Sequence, residues 1–518
     1  MLKKALAFVL FTIVGLLPLK AQTDIELMLT QKYAENSFRD GDYEFALENY
    51  LILYEKDKRN IELNYRIGIC YTETTIDKSL AIPYLEFVVG HNNYPVQSYY
   101  YLGRAYMYNY RFTEAVEALY EYKMIGVAED KLTESDRLIK MCYDGLERMN
   151  YPRNVVFERL DSTINTIYDD YYPFISADNS TLVYTSRSTY VDDFEDYIAN
   201  VFYSDNRKGS WEKANPLPVN TYDNETVVGM QANGEKILIY ADGDYFTHDV
   251  KMVNRKGNKF SDASRSELPA DLNTDGVEMG ACISPDGNKL FFVSDRRGGR
   301  GGLDIYYSRK GASGQWGPSQ NLGSTINTEF DDNFPSLSPD GKSLYFASKG
   351  HSGFGEYDIF QSLYIDSTNT WTPPRNLGFP INTPLDNTTI SFLADGQTAY
   401  VSANRKEGFG KLDIYKINFG DESQSIILMG TVMIGTPANA VPYSEDFLKA
   451  YATLFDNFGN IIAQIPVQSE GGAFFGALFP GTYRLEVKFE GYERGHSEEL
   501  VITSADTDGV FRTIYLTQ

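Results

Sequence analysis

The chain has 518 residues, of which 42% are hydrophobic and 14% aromatic, and its formal net charge at pH 7 is −24. This length allows several domains, each with a packed core. A chain this acidic is not expected to bind nucleic acid or to adsorb to an anionic membrane. The negative charge serves solubility or attracts a basic partner, and the composition leaves both explanations open.

Residues 1–21 have the three regions of a signal peptide: Lys3 and Lys4, an apolar run over 5–17, and a short polar end at Lys20 and Ala21. The apolar run is too short for a stable membrane span. We therefore predict cleavage near Gln22 and a periplasmic protein associated with the outer membrane, with exposure on the cell surface as the alternative.

Residues 22–150 follow a helical period. Ala34, Gly68 and Gly103 stand 34 and 35 residues apart, at the small position where paired helices approach most closely. This spacing resembles the tetratricopeptide repeat (TPR), a helix pair of about 34 residues. The resemblance predicts an α-helical TPR solenoid, closed by a helix that begins near residue 133.

Clustered tyrosines in this segment are a candidate binding surface. Those that we single out are Tyr99, Tyr100 and Tyr106. They either line a peptide-binding groove or pack in the core between helices, since aromatic residues at helical spacing usually point inward.

Residues 153–420 repeat one unit five times. A turn residue marks each copy at intervals of 53–55 residues: Asp178, Asn233, Asp286, Asp340 and Asp395. A constant period filled with short strands predicts a radial β array. A strand candidate at 155–160 precedes the first copy, and the last copy lacks a fourth strand. We therefore predict a five-bladed β-propeller in which the N-terminal strand completes the last blade.

A second marker, Asn-Thr after an aliphatic residue, occurs once in each copy, and an acid follows it. These acids are Asp169, Asp223, Asp275, Asp331 and Asp386. If their loops lead into the innermost strands, five carboxylates ring one mouth of the channel and could bind a cation or a basic peptide. The alternative is that each aspartate caps its own turn through a backbone N–H group.

Residues 425–518 alternate apolar and polar positions as strands do, most clearly over 483–490. The segments 471–474 and 480–483 resemble the carboxypeptidase regulatory-like domain. The resemblance implies a prealbumin-like β-sandwich, which in exported proteins serves as a spacer or an adhesive element.

The sequence predicts no catalytic residue, no metal and no cofactor. The four histidines lack ligand spacing, and Cys70, Cys142 and Cys282 stand in apolar contexts without a redox motif. Acids of the type of Asp304 recur with the repeat and therefore indicate a structural role. Glycosidases with propellers need converging carboxylates, and the sequence does not exclude such a set.

The order of signal peptide, TPR repeats, TolB-like propeller and regulatory-like domain resembles a group of Bacteroidetes envelope proteins that includes components of type IX secretion and gliding machinery. An OmpA-like domain normally follows in that group but not in this sequence, so we do not expect peptidoglycan binding. The resemblance implies a non-enzymatic scaffold whose partner is an outer-membrane β-barrel or a secretion-system component. The alternatives are a carbohydrate-binding or glycan-processing propeller protein and a surface adhesin.

Overall fold

The computed structural model describes residues 19–74, 77–126, 128–191, 196–242, 248–444, 450–489 and 495–516. Antiparallel β-sheet predominates, with 37% of the described residues in strands and 22% in helices. The predicted signal peptide lies outside the described residues, apart from 19–21 at the start of a helix. Among the described helices, none is long and apolar enough to cross a membrane.

The chain divides into two compact units, residues 1–142 and 143–518. In the described part of the first unit the α-helices follow one another in contacting pairs, and a last helix continues into the second unit. The helices are Leu19–Asp40, Tyr43–Tyr54, Ile61–Glu73, Ala81–Val89, Ser98–Tyr108, Phe112–Met124 and Glu129–Met149.

Two glycines set the spacing of these pairs. A Cβ atom on Gly68 would lie 2.5 Å from Cγ of Leu85, and one on Gly103 would lie 2.7 Å from Cγ of Leu119. Any larger residue would push the paired helices apart, because a protein core has little free volume. The predicted close approach at Gly68 and Gly103 is confirmed.

Residues 155–419 of the second unit form, in their described parts, five antiparallel sheets. We number the sheets 1 to 5 in chain order and give the first three strands of each. They are Asp170–Ile175, Thr181–Val191 and Asp196–Arg207 in sheet 1; Glu225–Met230, Lys236–Asp242 and His248–Lys256 in sheet 2; Ala281–Ile283, Lys289–Ser294 and Asp304–Arg309 in sheet 3; Asp332–Leu337, Ser343–Ser348 and Asp358–Ile365 in sheet 4; and Ile390–Phe392, Thr398–Ala403 and Asp413–Phe419 in sheet 5.

Short outer segments complete sheets 1 to 4. They are Ser210–Trp211, Asn215–Pro216, Lys259–Phe260, Gln320–Asn321, Thr370–Trp371 and Arg375–Asn376. The outer strand of sheet 5 is Val155–Arg159, which pairs antiparallel with Asp413–Phe419. The predicted closure of the ring by the N-terminal strand is therefore confirmed. The first strands of the sheets contact one another in cyclic order, so the fold is β-propeller-like.

The asparagine of the Asn-Thr marker holds each sheet to the loop that leaves it. Asn327 accepts a hydrogen bond from the backbone N–H of Ile305 (2.8 Å) and donates one to the carbonyl of the same residue (2.9 Å). The side-chain amide thus pairs with the third strand as a neighbouring strand would. The same pair of bonds joins Asn165 to Ile414, Asn220 to Val201, Asn273 to Val250 and Asn382 to Ile359.

The C-terminal part of the second unit packs two sheets around one apolar core. One sheet contains Ile426–Ile434, Val441–Pro442, Ala473–Leu478 and Val510–Leu516, and the other contains Ala450–Phe455, Ile461–Pro466, Gly481–Phe489 and His496–Ile502.

A polar contact fixes this domain to sheet 5. The Arg405 guanidinium lies 2.9 Å from the Asp456 carboxylate and 4.2 Å from the ring centroid of Phe157, which is in the closing strand. The backbone N–H of Lys406 donates to the side chain of Asn460 at 2.9 Å. Because Arg405 is only 10% exposed, removal of these partners would leave its buried charge uncompensated.

We predict that Asn327→Ala lowers the free energy of unfolding by about 1–3 kcal/mol, because it leaves the buried backbone N–H of Ile305 without its partner. The carbonyl of Ile305 keeps its hydrogen bond from the N–H of Leu322. Chemical denaturation of the full chain measures the loss of stability. Asn258→Ala, at an exposed turn, is the control and should change the free energy little. Equal stability of the two variants would show that the asparagine pairing is not important for the ring.

Candidate functional site

The loops before the first strands and the loops between second and third strands lie at one end of the ring. In sheet 4, Asp332 at the start of the first strand pairs with Ser348 at the end of the second, which pairs with Asp358 at the start of the third. We call this end the upper mouth. The turns that carry Asp286 and Asp340 lie at the other end, the lower mouth.

The predicted aspartates occupy the loops of the upper mouth, and three of them join neighbouring sheets. Asp169 accepts a hydrogen bond from the backbone N–H of Leu412 in sheet 5, at 3.1 Å. Asp331 accepts one from Leu303 (3.1 Å), and Asp386 accepts one from Tyr357 (3.2 Å). These bonds join each aspartate to the preceding sheet of the ring.

The other two predicted aspartates differ from these. Asp223 donates its own backbone N–H to the Thr221 hydroxyl at 3.1 Å, and the side chain of Asp275 is exposed. Residues 192–195 and 243–247 lie outside the described residues.

A second row of acids, not predicted from the sequence, lies one step further into the ring. These residues lie at the start of the first strands or three residues before them: Asp170, Glu225, Glu278, Asp332 and Asn387. The four acids are buried, and the fifth residue is a half-buried amide. Each follows the marker threonine by four residues. In sheet 4, Thr328 donates its backbone N–H (2.5 Å) and its hydroxyl (2.9 Å) to one oxygen of Asp332. The constant spacing was the signal that could have identified this row.

Burial changes the protonation of this row. Removal from water raises the pKa of Asp332 to about 7, although hydrogen bonds from Ser348 and Thr328 oppose the change. Burial likewise raises the pKa of Asp170 to about 6 against bonds from Ser186 and Thr166. Both carboxyl groups therefore carry a proton over part of the neutral range.

An aromatic cluster lies on the first strands of sheets 1 and 4 and on the upper-mouth loop of sheet 4. The ring centroids of Tyr172 and Phe334 are 5.0 Å apart, and Tyr357 meets Phe334 edge to face at 5.7 Å. Tyr171 packs against Tyr172 at 4.6 Å. Tyr172 belongs to sheet 1 and Phe334 to sheet 4, which are not neighbours in the ring. We call these four half-buried side chains the aromatic platform.

Backbone strain supports the platform. Tyr172 has φ of +54° and Phe334 has φ of +50°, and a register irregularity interrupts both first strands at these positions. A positive φ is costly for a bulky residue and is often retained at a binding site. Each residue precedes a proline, Pro173 or Pro335. This shared aromatic-proline pair was the sequence signal for the platform.

The lower end of the ring axis offers few groups that could bind a ligand. A pocket there is lined by apolar side chains such as Phe174, Met230 and Phe392, and by the hydroxyls of Ser336 and Ser391. Its lining contains no carboxylate and no basic side chain. The polar and aromatic groups of the ring axis that could hold a ligand are therefore those of the upper mouth.

Other candidate residues are engaged in packing. Tyr99 packs edge to face on Tyr94 at 5.3 Å, and Tyr106 donates to Glu86 at 2.7 Å. Tyr100 packs against Tyr122 at 5.5 Å. These three predicted residues are half-buried among the helices of the first unit.

The cysteines are poor nucleophiles, since Cys70, Cys142 and Cys282 are free and buried. Burial raises the pKa of Cys70 to about 12, which disfavours the reactive thiolate. In the described parts of the chain, no group of three or more His, Cys, Asp or Glu residues could hold a metal ion.

No family model and no curated protein matches the chain. Solved structures do align with it. A Trypanosoma rangeli sialidase in complex with the inhibitor DANA has 8% identity and a TM-score of 0.32, over 67% of this chain and 89% of that chain. An alpha-L-arabinofuranosidase from Lactobacillus brevis has 11% identity and a TM-score of 0.32, over 50% of this chain and 92% of that chain. A post-proline cleaving enzyme from Rickettsia typhi has 11% identity and a TM-score of 0.26, over 66% of this chain and 47% of that chain. Similarity at this level assigns no reaction or substrate to this chain.

These three structures are all enzymes. The finding contradicts the prediction that the chain is a non-enzymatic scaffold, and we withdraw that prediction. The prediction rested on the family resemblance and on the lack of any repeat with distinctive acids, and neither observation tests for a catalytic group. The structure separates a buried row that includes Asp332 from more accessible carboxylates such as Asp331 and Asp386.

We predict that Asp332 and Asp170 make stability depend on pH. Their pKa values in the folded chain lie above the value of about 4 in the unfolded chain, so the folded state holds more protons between about pH 4 and 7. Stability should therefore fall as pH rises through this window and then level off. Urea denaturation at several pH values measures this slope, which Asp332→Asn should reduce. An unchanged slope in the variant would contradict the raised pKa of Asp332.

Proposed function

We propose that the chain is a glycan-processing protein that binds a carbohydrate chain at the upper mouth. The aromatic platform carries the proposal. Tyr172 of sheet 1 meets Phe334 and Tyr357 of sheet 4, which is not its neighbour in the ring. Their partly exposed rings can pack on the apolar faces of sugar rings. A few polar groups beside an aromatic surface are typical of a small-molecule site.

Two carboxylates flank the platform. Asp386 accepts the backbone N–H of Tyr357, and Asp331 lies 3.5 Å from the Lys349 ammonium group, which is 4.5 Å from the centroid of the Tyr357 ring. After burial, the charge of Asp331 is the strongest influence raising the pKa of the Tyr357 hydroxyl, which therefore stays protonated. Tyr357 can donate a hydrogen bond, while the two carboxylates accept hydrogen bonds from sugar hydroxyls.

Processing of the bound glycan is the further part of the proposal. Hydrolysis of a glycosidic bond generally uses two carboxyl groups, one on each side of the bond. We assign these roles to Asp331 and Asp386, because both reach the platform from loops of the upper mouth. Their backbone partners, Leu303 and Tyr357, hold them in place.

The finer architecture belongs to the same proposal. We propose a TPR-like helical solenoid, a five-bladed propeller and a prealbumin-like sandwich, and membership of the Bacteroidetes envelope proteins that the sequence resembles. We also propose export to the periplasm and association with envelope proteins, such as an outer-membrane β-barrel. A periplasmic location would place the protein among the glycans of the cell envelope.

We predict that Tyr357→Ala weakens binding of oligosaccharides at least tenfold, about 1.4 kcal/mol, whereas Tyr357→Phe keeps the ring and most of the affinity. Thermal stabilisation of the full chain by a panel of neutral and acidic oligosaccharides measures binding. The control is Tyr364→Ala, a half-buried tyrosine toward the lower end of the same sheet. Absence of stabilisation of the wild type, or equal binding by Tyr357→Ala, would contradict the proposal.

We predict that Asp331→Asn and Asp386→Asn each lower the release of reducing ends from bound oligosaccharides by about 100-fold or more. Each new amide keeps an oxygen that can accept the same backbone N–H, so the fold should survive. The exposed Asp366, at a turn toward the lower end, provides the control Asp366→Asn, which should release products at the wild-type rate. Products released at the wild-type rate by both mouth variants would rule out the assigned carboxylates.

A further inference from the structure

Two arginines stand out on the surface of an acidic protein. Arg297 and Arg300 lie on the loop between the second and third strands of sheet 3, and both are exposed. Among the described residues, neither guanidinium forms an ion pair. The adjacent Arg296 differs, because it donates to the carbonyl of Leu272 (2.6 Å) and lies 3.4 Å from Glu278. Their place on a loop of the upper mouth sets Arg297 and Arg300 apart from exposed cations such as Arg309, which lies at the lower end of the same sheet.

The arginine loop lies directly against the segment that carries Asp331 and Phe334. The carbonyl of Leu303 accepts the backbone N–H of Asp332 at 2.8 Å, and Asp331 accepts the N–H of Leu303. A Cβ atom on Gly301 would lie 2.2 Å from the carbonyl oxygen of Phe330. Glycine therefore permits the contact, and Arg300 precedes the contact point by one residue.

Hydrogen bonds also hold the loop in shape. Asp304 is fully buried and accepts the backbone N–H groups of Arg300 (2.5 Å) and Gly301 (3.1 Å). The Asn321 side chain donates to the same carboxylate at 2.8 Å. The loop backbone is thus ordered before any ligand arrives, which reduces the entropy cost of binding.

We infer that the ligand of the upper mouth is an acidic glycan, whose carboxylate or sulfate groups bind Arg297 and Arg300. This inference rests on the proposed function and adds the class of substrate. Guanidinium groups bind such anions through two parallel hydrogen bonds. Lys349 adds positive charge beside Asp331 on the same side of the mouth.

The acidic protein as a whole does not prevent this binding. At physiological salt, charges further than about 8 Å from the ligand are largely screened. Asp331 lies within this distance, because its carboxylate accepts the N–H of Leu303 in the arginine loop, and Lys349 at 3.5 Å partly offsets its charge. The anion interacts mainly with the arginines, while Asp331 and Asp386 can accept hydrogen bonds from neutral hydroxyls. This arrangement gives a bound acidic sugar a fixed orientation across the mouth.

The test compares tetragalacturonate, its carboxyl-reduced neutral form and a heparin-derived tetrasaccharide by calorimetry with the full chain. We expect the wild type to bind at least one acidic probe about tenfold more tightly than the neutral one. The double variant Arg297→Gln/Arg300→Gln should lose that preference and keep its affinity for the neutral probe. Arg309→Gln, an exposed arginine at the lower end of the same sheet, should bind as the wild type does.

The outcomes separate this inference from the proposed function. A preference for tetragalacturonate identifies carboxylates as the recognised groups, and a preference for the heparin fragment identifies sulfates. Binding of neutral and acidic probes with equal affinity would overturn the inference and leave the proposed function standing. An acidic preference that survives in the double variant would also overturn it, and binding of no oligosaccharide would contradict both.

Discussion

The ring depends on one pair of hydrogen bonds that is repeated in every sheet. An asparagine amide bonds to both backbone groups of a single residue in the third strand, as Asn327 does with Ile305. The loop that follows this asparagine leads to the next sheet, so the bonds fix where the upper-mouth residues begin. Asn165 forms the same pair of hydrogen bonds with Ile414, and these bonds join the first and last segments of the ring. The sheets and the mouth are therefore held by the same interaction.

Adjacent residues of the upper mouth differ in burial and therefore in their chemical properties. Asp331 and Asp332 are adjacent, yet Asp332 is buried with a raised pKa and Asp331 is half-exposed beside Lys349. The first strand is irregular at Phe334, which has a positive φ and packs on Tyr172. A single segment thus supplies a buried carboxyl group, an accessible one and part of the aromatic platform. The proposed glycan site arises from this local change of environment.

Much of the fold was predictable because it is periodic. The constant spacing of the turn and Asn-Thr markers predicted the ring, and the isolated strand near Val155 predicted its closure. The site was less predictable, since its acids had to be distinguished by burial. Asp331 was selected from the sequence, but its buried neighbour Asp332 was not. Tyr172 and Phe334 meet only because their strands bend where sheets 1 and 4 face each other, which no short-range pattern contains.

The central claim is that the upper mouth is a glycan site. Hydrogen–deuterium exchange of the full chain, with and without a saturating acidic oligosaccharide, tests it most directly. We expect slower exchange confined to the segments 168–174, 296–303, 330–335 and 349–358. Slower exchange located instead in the helical unit or the C-terminal sandwich, or no change anywhere at saturation, would contradict the account.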